Sequence, residues 1–459
     1  MGHHYITQLP NERYKFSKRG RLVTGFLMIV GLLIAGFGAL RLQDSWQADN
    51  HSSELHENPH TDNYNSENHI ASTHAENVDH HSSTHVENHS EGHHSTGWLS
   101  RVWAAFLVNA YYFFLFAVGG LFFVAVNYVA NAGWATLIKR VAESMSSYIP
   151  IGFVLLMAAV YFGGEHLYEW LYYNNHKADL PADHLLDDKK WFLNRNWLYI
   201  APIIFVTIWY ALRTVIRRLS LKEDHEGGLM FFNKSIRFSA AFIVIFAFTF
   251  SVFSWLIMMS IDPHWFSTIF SVYNFAIMFV SSVTVITFIT IFLKGQGYMN
   301  LVDEEILDDL VKFMFGFSIF WAYIWLAQFL LIWYANLPEE SIYYYERWVA
   351  KYYPFFVANI LMNFFLPFLV LIARYAKRNK YITLFGGILI LVGHWLDIYL
   401  MVMPGVVGEK AGIGPLEIGF GIFFLGLFCY VLRHSLSKAD MYPKNHPFVL
   451  ESANHEVGP

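Results

Sequence analysis

Three short constellations in this chain place ionisable side chains inside or at the edge of otherwise apolar runs: Glu165-His166, Asp262-Pro263-His264 and His394-Trp395-Leu396-Asp397. A charge at membrane depth is expensive and normally faces a protein interior or a wet cavity, so each such residue is a functional hypothesis. The chemistry on offer is proton transfer or the holding of a quinol hydroxyl.

Glu165 and Glu169 are one helical turn apart and are expected to share a face, with His166 beside it. Two carboxylates held close in a low dielectric cannot both stay ionised cheaply, which makes one a proton acceptor. The competing reading is that the group marks the outer end of a span, close to water. That suits Glu169 better than Glu165 and His166, which the sequence places deeper.

His394 and Asp397 are three residues apart on one face, with Asp397 near mid-span. Such a pair can pass a proton or hold a quinol hydroxyl, since each partner stabilises the other's charged form. It can equally be a buried polar pair that fixes helix packing. Asp262, before a helix-ending proline and followed by His264-Trp265-Phe266, reads as an interfacial cap and aromatic belt. The same Asp and His could also admit or release protons at an outer mouth. Glu417, just after Gly414-Pro415, reads as a first-turn charge complementing the helix dipole.

The elements that must position these residues are membrane helices. Of 459 residues 55% are hydrophobic and only 15% charged, against roughly a quarter in soluble domains. Ten apolar segments are long enough to cross a bilayer core, which needs about 20 helical residues. They fall near 22–41, 103–128, 149–169, 197–216, 239–259, 269–293, 313–335, 354–374, 383–403 and 416–435, and are called spans 1 to 10. The first is longer than a signal-peptide core and lacks a clear small-residue cleavage site, so a retained anchor is expected. With both termini inside, the cytoplasmic set takes 22 of the 31 Lys and Arg, which predicts cytoplasmic ends.

The stretch between spans 1 and 2 differs from the rest. From Gln43 to Gly97 it has no Lys or Arg yet carries half of the chain's 22 histidines, and Ser72-Thr73-His74-Ala75-Glu76-Asn77 nearly repeats as Ser83-Thr84-His85-Val86-Glu87-Asn88. It cannot bury enough apolar surface to offset its chain entropy, so an external loop is expected, disordered or ordered by a partner. Histidine tracts can bind metal, but a solvated low-complexity linker is the simpler reading and no metal site is assigned. The lone cysteine, Cys429, rules out a disulfide or an iron–sulfur cluster built by this chain alone. A net charge of −5 argues against nucleic acid. A weak echo between Trp255-Leu256…Pro263 and Trp395-Leu396…Pro404 hints that spans 2–5 and 6–9 are duplicated units.

The runs Ile261–Thr268, Lys312–Gly316, Phe320–Tyr323, Ile332–Glu340 and Val392–Asp397 together resemble the NrfD-like superfamily, the polysulfide-reductase type of membrane subunit. More narrowly they are similar to the ActF subunits of bacterial alternative complex III. The resemblance covers the chain from span 1 to the Asn445-His446-Pro447-Phe448 stretch, histidine-rich insert included, and 261–268 is its most specific part.

The resemblance implies an all-α integral membrane subunit with two four-helix bundles flanked by helices 1 and 10. The parts would be 1–41 (cytoplasmic N-terminus and first helix), 42–102 (histidine-rich periplasmic loop), 103–260 and 261–404 (the bundles), and 405–459 (tenth helix and cytoplasmic tail). It further implies a quinol:cytochrome c oxidoreductase of the bacterial inner membrane. There the c haems and iron–sulfur clusters sit in partner subunits, and a sister NrfD-like subunit is the better place for quinol oxidation; lipid and a terminal oxidase are further expected partners. This chain, noncatalytic alone, would supply a proton path and, as a second role, a quinone site. The residues onto which that role carries are Glu165, His166, Asp262, His264, His394 and Asp397. Two other readings stay open: a pure scaffold for electron-transfer subunits, and a metal-ion transporter, which would need ligand spacing inside the spans.

Overall fold

The computed structural model describes residues 9–56, 97–178, 180–348, 350–408 and 412–455. The chain is helical throughout these residues apart from loops and one antiparallel bridge, Arg13 to Asp440. Among the described residues ten helices are long and apolar enough to cross a membrane: Lys18–Gln47, Trp98–Val129, Lys139–Phe162, Arg195–Glu226, Leu229–Ile261, Phe270–Gly295, Glu304–Ala335, Tyr353–Leu371, Lys380–Val407 and Pro415–Leu436. These are spans 1 to 10. Residues 57–96, the core of the histidine-rich stretch, lie outside the described residues.

Local chemistry sets the ends. Asn194 caps span 4 by accepting from the Trp197 amide at 2.9 Å, and Asn379 caps span 9 through Tyr381 at 3.0 Å. Span 7 stops at Asn336, which takes a left-handed conformation (φ 48°) before Leu337-Pro338. One boundary departs from expectation. Span 3 runs from Lys139 to Phe162 rather than to residue 169, because Gly163 and Gly164 interrupt it and Tyr168 is extended (φ −120°, ψ 106°).

Spans 2 and 6 are the most enclosed and form the centre, span 2 packing on spans 3, 5, 6, 9 and 10. Span 4 packs on span 5, and span 6 on spans 7 and 9. Large apolar side chains such as Leu33, Phe248, Leu331 and Leu369 point outward, as lipid-facing residues must. Since lipid is as apolar as leucine, close packing and polar contacts hold the helices together. Spans 1 and 10 meet backbone to backbone: a Cβ on Gly31 would collide with the Phe423 amide nitrogen, and one on Gly419 would collide with that of Ala35.

Candidate functional site

Asp397 is buried in span 9 and receives three side-chain donors from three other spans. The Trp321 indole donates to Oδ2 at 2.9 Å, the Asn359 amide to Oδ1 at 3.0 Å, and the Tyr273 hydroxyl also donates to Oδ1. Asn359 in turn accepts from Asn363 at 2.5 Å. The segment holding that second asparagine, Leu361–Phe365, is a π-turn inside span 8, a local widening common at functional sites. All three donors are neutral. Together they satisfy both carboxylate oxygens with no Lys or Arg partner among the described residues.

His394 contributes less than the sequence implied. Its Nδ1 stands 3.8 Å from Asp397 Oδ2, beyond hydrogen-bond distance, and neither ring nitrogen has a partner among the described residues. The imidazole instead meets the edge of Trp321, centroid to centroid 5.5 Å. His394 and Asp397 are thus brought within ion-pair distance, as their spacing predicts, but without a hydrogen bond between them. Their i, i+3 spacing brings the rings and oxygens near, but the tryptophan and asparagine donors occupy the carboxylate.

Toward the C-terminal ends of spans 5 and 9 lies a second group. Arg347, on the short helix Pro338–Trp348 between spans 7 and 8, is 3% exposed and donates to Asp262 Oδ2 at 2.7 Å, to the Leu400 carbonyl at 2.9 Å and to the Tyr343 carbonyl at 2.7 Å. Its guanidinium lies 3.4 Å from the centroid of the Tyr343 ring, and that ring stacks on Trp265 at 3.8 Å. Gly405 makes the approach possible, since a Cβ there would collide with Asp262 Oδ1. A cavity of about 20 Å³, lined by Asp397, Tyr273, Asn359, Gln328, Tyr343 and Arg347, connects the two groups. That is room for one water. The Gln328 Nε2, buried there without a protein acceptor among the described residues, is a donor such a water would satisfy.

The remaining sequence candidates sit apart from this site. Glu165 and His166 are exposed on the turn Gly164–Leu167, with Glu165 accepting from Asn175 at 2.7 Å and His166 Nδ1 3.4 Å from Ser100 Oγ. Both were expected deeper, with Glu165 and Glu169 on one helical face. The Gly163-Gly164 break lifts the first pair out of the span, and Tyr168 separates it from the helix that Glu169 begins, so both expectations are corrected. Asp262 and His264 do not act as a pair either. His264 Nε2 pairs with Asp183 at 2.8 Å, on the loop between spans 3 and 4. Burial pulls the Asp183 carboxyl upward, but the His264 ring and the amides of Leu186 and Leu185 outweigh it and hold the group below its usual range. Glu417 is both a cap and an ion-pair partner: its Oε2 accepts from the Gly414 amide at 2.8 Å and its Oε1 meets Arg101 Nε at 2.9 Å.

Sequence reasoning missed Tyr273, Trp321, Asn359, Asn363 and Arg347. Asn359 and Asn363 carried a usable signal, two amides four residues apart in an otherwise apolar span. Arg347 carried none, because only tertiary packing buries an arginine from a connecting segment. A further buried charge group lies at the opposite end of the bundle, where Arg140 and Arg217 share Glu143, Arg140 also pairs with Asp224, and Lys139 faces Glu223 at 3.8 Å. Among the described residues no three His, Cys, Asp or Glu side chains converge as a metal site.

No family model matches the chain, and no curated protein matches it.

Proposed function

We propose that this protein is an NrfD-like membrane subunit of a quinol:cytochrome c oxidoreductase, of the kind found in bacterial alternative complex III, and that it provides a proton path through the bacterial inner membrane. The observation that carries the reading is the buried Asp397 carboxylate, held by neutral donors and joined through a one-water cavity to the Arg347–Asp262 pair near the C-terminal ends of spans 5 and 9. Oxidising a quinol releases electrons and hydroxyl protons. In this account the electrons pass to iron–sulfur clusters and c haems on partner subunits, and Asp397 takes and returns a proton at mid-span. Tyr273 and Asn359 hold its Oδ1 and Trp321 holds its Oδ2. The proton's further route toward Asp262 runs past Arg347, which donates to that carboxylate at 2.7 Å.

The packing of spans 2 with 3 and 5, 4 with 5, 6 with 7 and 9, and 8 with 9 supports two four-helix groups, with the tight pair of spans 1 and 10 beside them. The distribution of Lys and Arg supports cytoplasmic termini, which would make the Asp262 end periplasmic. A quinone site is a second role of the same reading.

A scaffold role is favoured by one specific observation. The three donors to Asp397 come from spans 6, 7 and 8, so this carboxylate also ties four helices together. Isolation of the tagged chain from native membranes tests the proposed assignment. Co-purifying c-type cytochrome and iron–sulfur proteins, with quinol-dependent cytochrome c reduction, are expected. Isolation of the chain with neither would refute it.

A further inference from the structure

At the end of the bundle where Arg13 pairs with Asp440, a cavity of about 390 Å³ opens between spans 3, 4 and 10. Its polar wall is built by Arg213, Ser147, Ser435 and Lys438. Arg213 Nε donates to Ser146 Oγ at 2.9 Å, and Nη2 donates to Ser147 Oγ at 2.5 Å and to the Glu143 carbonyl at 3.4 Å. Ser147 and Ser435 join their hydroxyls at 2.7 Å across spans 3 and 10.

The charge balance is uneven. Arg217, which also lines the cavity, and Arg140 beside it are matched by Glu143 and Asp224, and Lys139 by Glu223. Arg213 and Lys438 have no carboxylate within ion-pair distance among the described residues, and His434 adds a third group that can carry positive charge. A half-buried arginine held by hydroxyls, a carbonyl and the face of the Tyr210 ring, 5.8 Å from its guanidinium, but by no carboxylate, is suited to an anion, and guanidinium geometry matches phosphate oxygens in pairs. The other wall is apolar. Ile151 and Val431 line the cavity, and Val154, 66% exposed, continues the outward face of span 3 toward mid-membrane.

We propose that this pocket binds the phosphate of an anionic membrane lipid, with its acyl chains lying along Ile151 and Val154. A free phosphate shares the headgroup's chemistry but would leave the apolar strip without a role. Basic pockets between transmembrane helices select anionic headgroups, and each cation near the surface strengthens the attraction. The inference is independent of the proton-path reading, since none of these residues touches Asp397 or Arg347.

The test uses the full-length protein in detergent, with bound lipid counted by native mass spectrometry after incubation with phosphatidylglycerol or phosphatidylcholine. One retained phosphatidylglycerol is expected, preferred over phosphatidylcholine by about tenfold or more. Lys438→Gln changes a side chain that makes no side-chain hydrogen bond among the described residues, so it should fold normally and weaken retention severalfold. Arg213→Gln should abolish retention, and Arg213→Lys should restore part of it. The exposed Lys222→Gln should leave retention unchanged. Equal loss in Lys222→Gln, or no preference between the two lipids, would overturn the proposal. So would displacement of the lipid by millimolar inorganic phosphate, which would assign the pocket to a free anion.

Discussion

Removing Arg347 should expose how strongly its group is coupled. Arg347→Met deletes the cation that faces Asp262 at 2.7 Å and leaves the Leu400 and Tyr343 carbonyls without their side-chain donor, all at a position 3% exposed. Breaking a buried pair from one side costs about 3–5 kcal/mol. Asp262→Asn leaves the guanidinium buried without that carboxylate, but the amide oxygen still accepts its hydrogen bond, so the cost should fall at the lower end of that range, about 3 kcal/mol. The double variant should be less destabilised than the sum, by a coupling of about 1–3 kcal/mol, since the second change relieves the uncompensated charge the first leaves. Equilibrium unfolding of the four proteins in one detergent measures the cycle. Additivity within about 0.5 kcal/mol would refute the view that these residues form one buried unit.

Three further outcomes follow from the geometry. Gly419→Leu drives a side chain into the backbone of span 1 and should cost about 1–3 kcal/mol, whereas Gly25→Leu, where a Cβ would meet nothing within 4 Å, should be neutral; thermal unfolding compares them. His446, in the tail against Tyr128 and Phe232, is pushed down to about 2 by burial and by Lys139 and Arg140. Its folded value lies below the unfolded 6.5, so its contribution is fully present above pH 6.5 and is lost as pH falls, by about 2 kcal/mol at pH 5; His446→Gln should flatten that part of the stability profile. In a cysteine-free background, a cysteine at Asn77 should react with an impermeant thiol reagent from the periplasm and one at His225 only from the cytoplasm; the reverse pattern would invert the proposed orientation.

Much of the architecture was legible in the sequence because lipid imposes a simple rule. Every backbone polar group must be satisfied within a helix, so apolar length alone located all ten spans. The error at the end of span 3 has a local cause: hydropathy continues through Leu167 and Tyr168, but the paired Gly163-Gly164 breaks the helix and carries Glu165 and His166 to the surface. Asp397 stood out because a mid-span carboxylate is rare, yet its partners did not. Tyr273 and Trp321 look like ordinary core aromatics, and only the crossing of spans 6, 7 and 9 turns their polar atoms toward one carboxylate. The proximity of His394 to Asp397 was legible, but its lack of a hydrogen bond was not. Correct spacing on a helix brings two groups near each other without ensuring that they bond.

Asp397 is the proposed proton carrier, and Asp397→Asn tests that role most directly because the amide preserves shape and most hydrogen bonding while removing the titrating group. The complex should assemble with normal subunit content. Proton release and quinol:cytochrome c turnover, measured together in proteoliposomes, should fall by a factor toward the roughly 10²–10⁴ typical of a lost acid–base group. Full turnover with unchanged proton release in the assembled variant would contradict the proton-carrier role and leave Asp397 as the tie between four helices.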